Sequence, residues 1–153
     1  MILGGDLGGT KTLLALAEPH PDGPRIVREQ RYASQDYPSF DDLLADFLAG
    51  ESTIKSACFG LAGPTDGHSA KLTYLPWQLS GNALQTRFKL KSVTLANDFA
   101  AAANGLALVG AEHLHTLQAG QAIAHAPQVI LGAGTGLGVA GMVWDGEHYK
   151  VIP

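Results

Sequence analysis

The stretch Ile2-Leu3-Gly4-Gly5-Asp6-Leu7-Gly8-Gly9-Thr10-Lys11-Thr12-Leu13-Leu14-Ala15-Leu16-Ala17 opens the chain with two short apolar runs, Ile2 to Gly5 and Thr12 to Ala17, on either side of Gly8-Gly9-Thr10. Glycine reaches backbone conformations that a tight reversal needs, so this pattern predicts a β-hairpin. A third run, Arg25 to Tyr32, follows the breaker cluster Pro19-His20-Pro21-Asp22-Gly23-Pro24, and three antiparallel strands are the simplest reading.

Beyond this unit the periodicity changes. Phe40, Leu43, Leu44, Phe47 and Leu48 fall at helical spacing, with Ser39 placed to cap the helix and Gly50 just past its end. Ser56 to Leu61 reads as a buried strand that would bury Cys58, Leu72 to Leu75 as a short strand, and Ser80 as the cap of a helix running to Phe88. Ser92 to Ala96 reads as another strand, leading through Asn97-Asp98 into an Ala-rich helix from Phe99 to about Leu108. A short strand near Leu114 to Leu117 is expected next. Val129 to Leu131, Gly138 to Trp144 and Tyr149 to Ile152 read as strands, with a glycine turn over Gly132 to Gly136 and a hairpin at Asp145-Gly146. Hairpins mixed with strand-helix units indicate an α/β layered domain whose functional loops lie at strand ends.

Composition narrows the function classes. At 153 residues with 46% hydrophobic and 16% charged residues, the chain suits one compact domain and excludes a disordered one. A formal charge of −4, with ten scattered Lys and Arg, lacks the footprint of a nucleic-acid binder or of a protein that docks on anionic membranes. The N-terminus shows neither a signal-like charge pattern nor a membrane-length apolar run, so a cytoplasmic location is expected. His113-X-His115 has no further ligand type clustered nearby and reads as surface, and Asp41-Asp42 suits the first turn of a helix.

Three stretches carry chemistry. Asp6-Leu7-Gly8-Gly9-Thr10-Lys11-Thr12 sets a carboxylate before a tight turn whose N–H groups and hydroxyls could face an anion, although glycines between strands also serve a plain hairpin. Gly132-Ala133-Gly134-Thr135-Gly136-Leu137-Gly138 has glycine at four of seven positions, a density that points to a backbone approaching something closely, with phosphate the best candidate. It is neither a P-loop nor a Rossmann loop, because no Gly-Lys-Ser/Thr and no helix follows. Asn97-Asp98, where a strand meets a helix, is either a helix cap or a general base; a carboxylate ionised at neutral pH can accept a hydroxyl proton.

Taken in order, Asp6-Leu-Gly-Gly-Thr10, Gly60-Leu-Ala-Gly-Pro64, Leu75-Pro-Trp77, Ala96-Asn-Asp-Phe-Ala-Ala101 and Gly132-Ala-Gly-Thr-Gly-Leu-Gly138 resemble the N-terminal part of bacterial glucokinases of the proteobacterial type. The resemblance spans essentially the whole chain. It implies a ribonuclease-H-like, actin-like ATPase domain: a mixed sheet with an N-terminal antiparallel three-strand unit and flanking helices. Residues 1–153 would form one small N-terminal domain, with the C-terminal large domain lying outside this chain.

The same resemblance implies an ATP-dependent hexose kinase in which Asp98 takes the proton of the sugar 6-hydroxyl and Asn97 holds a neighbouring hydroxyl. Gly63 and Pro64 would border the sugar, with Trp77 packing behind. Asp6 would hold hydrated Mg²⁺, and Gly8, Gly9 and Thr10, with Gly134, Thr135 and Gly136, would face the phosphates of ATP. Leu13 stands where related loops carry Arg, leaving Lys11 either to supply charge or to be solvated. The family continues past this point with a Glu-Gly-Gly-His segment and further sugar ligands, so the 153-residue chain alone is expected to have negligible kinase activity. Glucose or a related hexose and ATP are the expected partners, with a homodimer also compatible; the choice of hexose, and of ATP or polyphosphate as donor, stays open. The alternative is a non-catalytic sugar-binding or regulatory module of the related repressor and kinase family. Such repressors usually carry a helix-turn-helix ahead of the first strand, and with Asp6 already within that strand none is expected here.

Overall fold

The computed structural model describes residues 1–51, 53–133 and 137–152. The chain divides into two compact units, one running from Met1 to Asp98 and the other from Phe99 onward.

The first unit is built on strands β1 (Ile2–Leu7), β2 (Lys11–Glu18), β3 (Arg25–Ala33), β4 (Ser56–Leu61) and β7 (Ser92–Asn97). They form a mixed sheet of order β3-β2-β1-β4-β7. β1, β2 and β3 pair antiparallel, whereas β4 runs parallel to β1 and β7 parallel to β4. Parallel neighbours need crossovers; helix α1 (Phe40–Phe47) lies between β3 and β4, and α2 (Gly81–Phe88) between β4 and β7. Ser39 caps α1 by accepting from the Asp42 N–H at 3.2 Å, and Ser80 caps α2 by accepting from the Ala83 N–H at 3.3 Å. Arg87 of α2 pairs with Asp41 and Asp42 in the first turn of α1.

One face of the sheet makes the core. Leu3, Leu7, Leu14, Leu16, Phe59, Leu61 and Leu95 pack with Phe40, Leu43, Leu44 and Phe47 of α1 and with Leu84 of α2. Phe40 meets Phe59 edge-on with ring centres 4.9 Å apart. Strand alternation sends the intervening residues to the opposite face. There Cys58 is exposed, and a Cβ added at Gly4 would touch nothing within 4 Å. The expectation that Cys58 packs in the core is therefore corrected: its neighbours Ala57 and Phe59 point inward and it points outward.

Two predicted strands are also corrected. Leu72 to Leu75 is a loop, folded back by hydrogen bonds from the Leu72 N–H to the Trp77 carbonyl and from the Thr73 N–H to the Ala62 carbonyl. The strands of this region flank it: β5 (Ser69–Lys71) and β6 (Gln78–Ser80) pair as a hairpin. Leu114 to Leu117 forms no strand either; it lies in a stretch with exposed Leu114 and Leu117. Trp77 is buried, and its indole N–H donates to the Tyr37 carbonyl at 3.2 Å.

The second unit is a meander of β8 (Gln128–Ala133), β9 (Leu137–Trp144) and β10 (Tyr149–Ile152). The Ala-rich segment becomes helix α3 (Asp98–Gly105), followed by a 3-10 turn over Leu106–Leu108. Its small core is Ala103, Ala140 and Met142, with Phe99, Ile130, Tyr149 and Val151 packed against it. No helix among the described residues is long and apolar enough to cross a membrane.

Candidate active site

The parallel strands β1, β4 and β7 bring their C-terminal ends to one edge of the sheet. Asp6 aligns with Gly60 and Gly60 with Ala96, and in the next row Leu7 aligns with Leu61 and Leu61 with Asn97. Asp6 alternates away from the core-facing Leu7. The loop after β4 begins with Ala62, Gly63 and Pro64, and Asp98 opens α3 directly after β7. Strand order alone thus gathers residues about 60 and 90 positions apart in sequence, at the strand ends where open α/β sheets place their ligands.

The acidic pair at this edge is electrostatically linked. Asp6 has its carboxyl pushed above the ordinary 3.8, first by removal from water and then by the negative charge of Asp98. A carboxylate kept costly to ionise beside a second carboxylate suits a hard cation. Among the described residues there is no group of three or more His, Cys, Asp or Glu that could enclose a metal. Mg²⁺ fits such a donor set, because it keeps several waters and needs only one or two carboxylates.

The first glycine turn follows Asp6. The Gly8 N–H donates to the Lys11 carbonyl at 3.0 Å, closing the reversal. Beneath it lie two fully buried hydroxyls, Thr12 and Ser34, 2.9 Å apart, and Ser34 Oγ donates to the Gly8 carbonyl at 2.8 Å. The Ser34 N–H donates to the Thr10 carbonyl at 3.0 Å. Gly9 is required by close approach: a Cβ there would come within 2.6 Å of Tyr74 Cβ. Tyr74 is itself 68% exposed. Sequence reading missed both Ser34 and Tyr74, since each reaches the turn from a distant segment and neither belongs to a local motif.

The loop that holds Gly63 and Pro64 is fastened from within. Thr73 donates to the Ala62 carbonyl through Oγ1 at 3.2 Å, while Asp66 Oδ1 accepts from the N–H groups of His68 and Ser69. Those donors hold the Asp66 carboxyl below its ordinary range. An open depression of about 540 Å³ beside Pro64 is lined by Thr65, Asp66, Lys71, Gln78 and Leu79.

In the second unit Gly132 and Gly138 are cross-strand partners on β8 and β9. A Cβ at either would collide with the Phe99 ring, so these two glycines are required by packing. That is a physical reason for half of the glycine density in the motif. Gly134, Thr135 and Gly136 lie outside the described residues.

Comparison with known proteins gives a consistent result. A family model described as Glucokinase matches residues 3–153. The glucokinase of Nostoc punctiforme is 38% identical over 156 residues, covering 100% of this chain and 46% of that protein. The glucokinase of Synechocystis sp. is 37% identical over 163 residues, covering 98% and 46%. The crystal structure of a glucokinase from an Antarctic psychrotroph is similar with a TM-score of 0.85 at 28% identity, covering 99% of this chain and 48% of that one. That of Balamuthia mandrillaris glucokinase in complex with glucose shares the fold, with a TM-score of 0.72 at 22% identity over 99% of this chain and 46% of that one. The chain spans about half the length of the curated relatives it matches.

Proposed function

Because the chain belongs to the glucokinase family, we propose that it forms the N-terminal part of an ATP-dependent kinase that converts D-glucose to glucose 6-phosphate. The observation that carries this reading is the Asp6–Asp98 pair at the ends of the sheet's parallel strands, where the charge of Asp98 adds to burial in raising the Asp6 pKa. The family fold is assigned as ribonuclease-H-like, of the actin-like ATPase type; the mixed order β3-β2-β1-β4-β7, with its antiparallel first three strands, supports it.

Asp98 is the general base. Its carboxylate accepts the proton of the sugar 6-hydroxyl as O6 forms a bond to the γ-phosphorus, and the bond from that phosphorus to the bridging oxygen breaks to leave ADP. Asn97 holds a neighbouring sugar hydroxyl, and Gly63 and Pro64 border the sugar. Asp6 would help hold hydrated Mg²⁺. Gly8, Gly9 and Thr10 are assigned to the phosphates of ATP, a role that the family resemblance also gives to Gly134, Thr135 and Gly136. Mg²⁺, when bound, would supply charge neutralisation on the transferred group; this chain's residues supply alignment, which in phosphoryl transfer does most of the work. Its use of ATP supports a cytoplasmic location for the reaction.

The test is a coupled assay of the complete gene product with glucose and Mg·ATP, in wild type and Asp98→Asn. The variant should lose about 10²- to 10⁴-fold in kcat while glucose binding, measured by calorimetry, stays nearly unchanged. Turnover that survives the substitution would remove Asp98 as the base.

A further inference from the structure

Buried hydroxyls are scarce, and here two of them meet under one turn. Ser34 and Thr12 are each 0% exposed. A hydroxyl has one proton to give. Ser34 gives its own to the Gly8 carbonyl, so the 2.9 Å contact with Thr12 must be donated by Thr12. The protons therefore run in one direction, from Thr12 to Ser34 to Gly8 O. The Ser34 N–H, in turn, donates to the Thr10 carbonyl.

Both bonds end on turn carbonyls, and in a planar trans peptide the C=O and the following N–H point in opposite directions. Drawing the Gly8 carbonyl toward buried Ser34 turns the Gly9 N–H away from it. Drawing in the Thr10 carbonyl turns the Lys11 N–H away likewise. We infer that Ser34 is a positioning residue, which through these two carbonyls holds the Gly9 and Lys11 N–H groups facing outward to receive a phosphate oxygen, with Thr12 fixing its hydroxyl. Backbone N–H groups aimed outward at a turn can receive an anion, and their worth depends on being fixed before the ligand arrives. This rests on the reading of Gly8-Gly9-Thr10 as a phosphate turn.

The first measurement is backbone ¹⁵N relaxation on the 153-residue chain. The Gly9 amide should have an order parameter of about 0.85 in wild type and fall below about 0.6 in Ser34→Ala, with β4 and β7 unchanged. Ser34→Cys keeps the side chain's size with a weak donor and serves if the alanine variant fails to fold. The second is steady-state kinetics of the complete gene product, where Ser34→Ala should raise KM for Mg·ATP about tenfold and leave KM for glucose unchanged. An unchanged order parameter overturns the inference, as does an equal change in both KM values, which would mark a merely structural serine. If the wild-type protein shows no ATP-dependent turnover, the functional reading falls instead, and relaxation alone decides whether Ser34 orients the turn.

Discussion

A carboxylate that the fold makes costly to ionise is retained at Asp6. Burial and the charge of Asp98 raise its pKa above the ordinary 3.8, so between that value and the raised one the folded chain holds a proton that the unfolded chain releases. Stability then falls as pH rises through this window, and at neutral pH the charge is a net cost. Asp6→Asn should accordingly melt at or above the wild-type temperature at pH 7, with the advantage fading at pH 3, while Mg²⁺-dependent turnover collapses. Parallel melts and assays check this; a lower melting temperature at pH 7 would refute the sign. Asp6 and Asp98 were legible because each stands beside a local signal, a glycine turn or a strand-helix junction. Ser34 was not, since its role exists only where the end of β3 meets the β1–β2 turn. The second glycine motif was read as a backbone that approaches something closely, and at Gly132 and Gly138 that neighbour is Phe99, which spacing does not reveal.

At the scale of elements, α1 was legible because its apolar face, its cap and its end are all written within a dozen residues. β5 and β6 are three residues each and exist through pairing with one another, so nothing local announces them. Leu72 and Leu75 looked like a strand because they are buried, yet their burial comes from a loop pinned at Ala62 and Trp77. The same local logic ranks two substitutions at the start of α1. Ser39→Ala removes a cap and should cost about 1 kcal/mol in urea unfolding. Arg87→Ala removes ion pairs to Asp41 and Asp42 that are open to solvent, and should cost less. The reverse order would mean that the inter-helix pairs, and not the cap, hold this corner.

Across the whole molecule the two units differ in what they bury. The first encloses Phe40, Phe47, Phe59 and a dense set of leucines. In the second, Val129, Leu131 and Leu137 are 65%, 65% and 74% exposed around a core of two alanines and a methionine. Local opening follows buried apolar contact, so interior amides of β8–β10 should exchange with solvent at least about tenfold faster than those of β1, β4 and β7, a gap of ~1.4 kcal/mol. Equal protection in native-state hydrogen exchange would show that the chain opens as one body. The units also differ optically. Of the two tryptophans, Trp77 is sealed in the first core, whereas Trp144 in β9 is sandwiched by a stacked His125 ring at 4.2 Å and an edge-on Tyr149 at 5.3 Å. Each unit thus carries its own chromophore in its own surroundings, and an unfolding curve recorded by total emission superposes two reporters. Replacing either indole with phenylalanine separates them, so that fluorescence can follow one half of the polypeptide while the other stays dark.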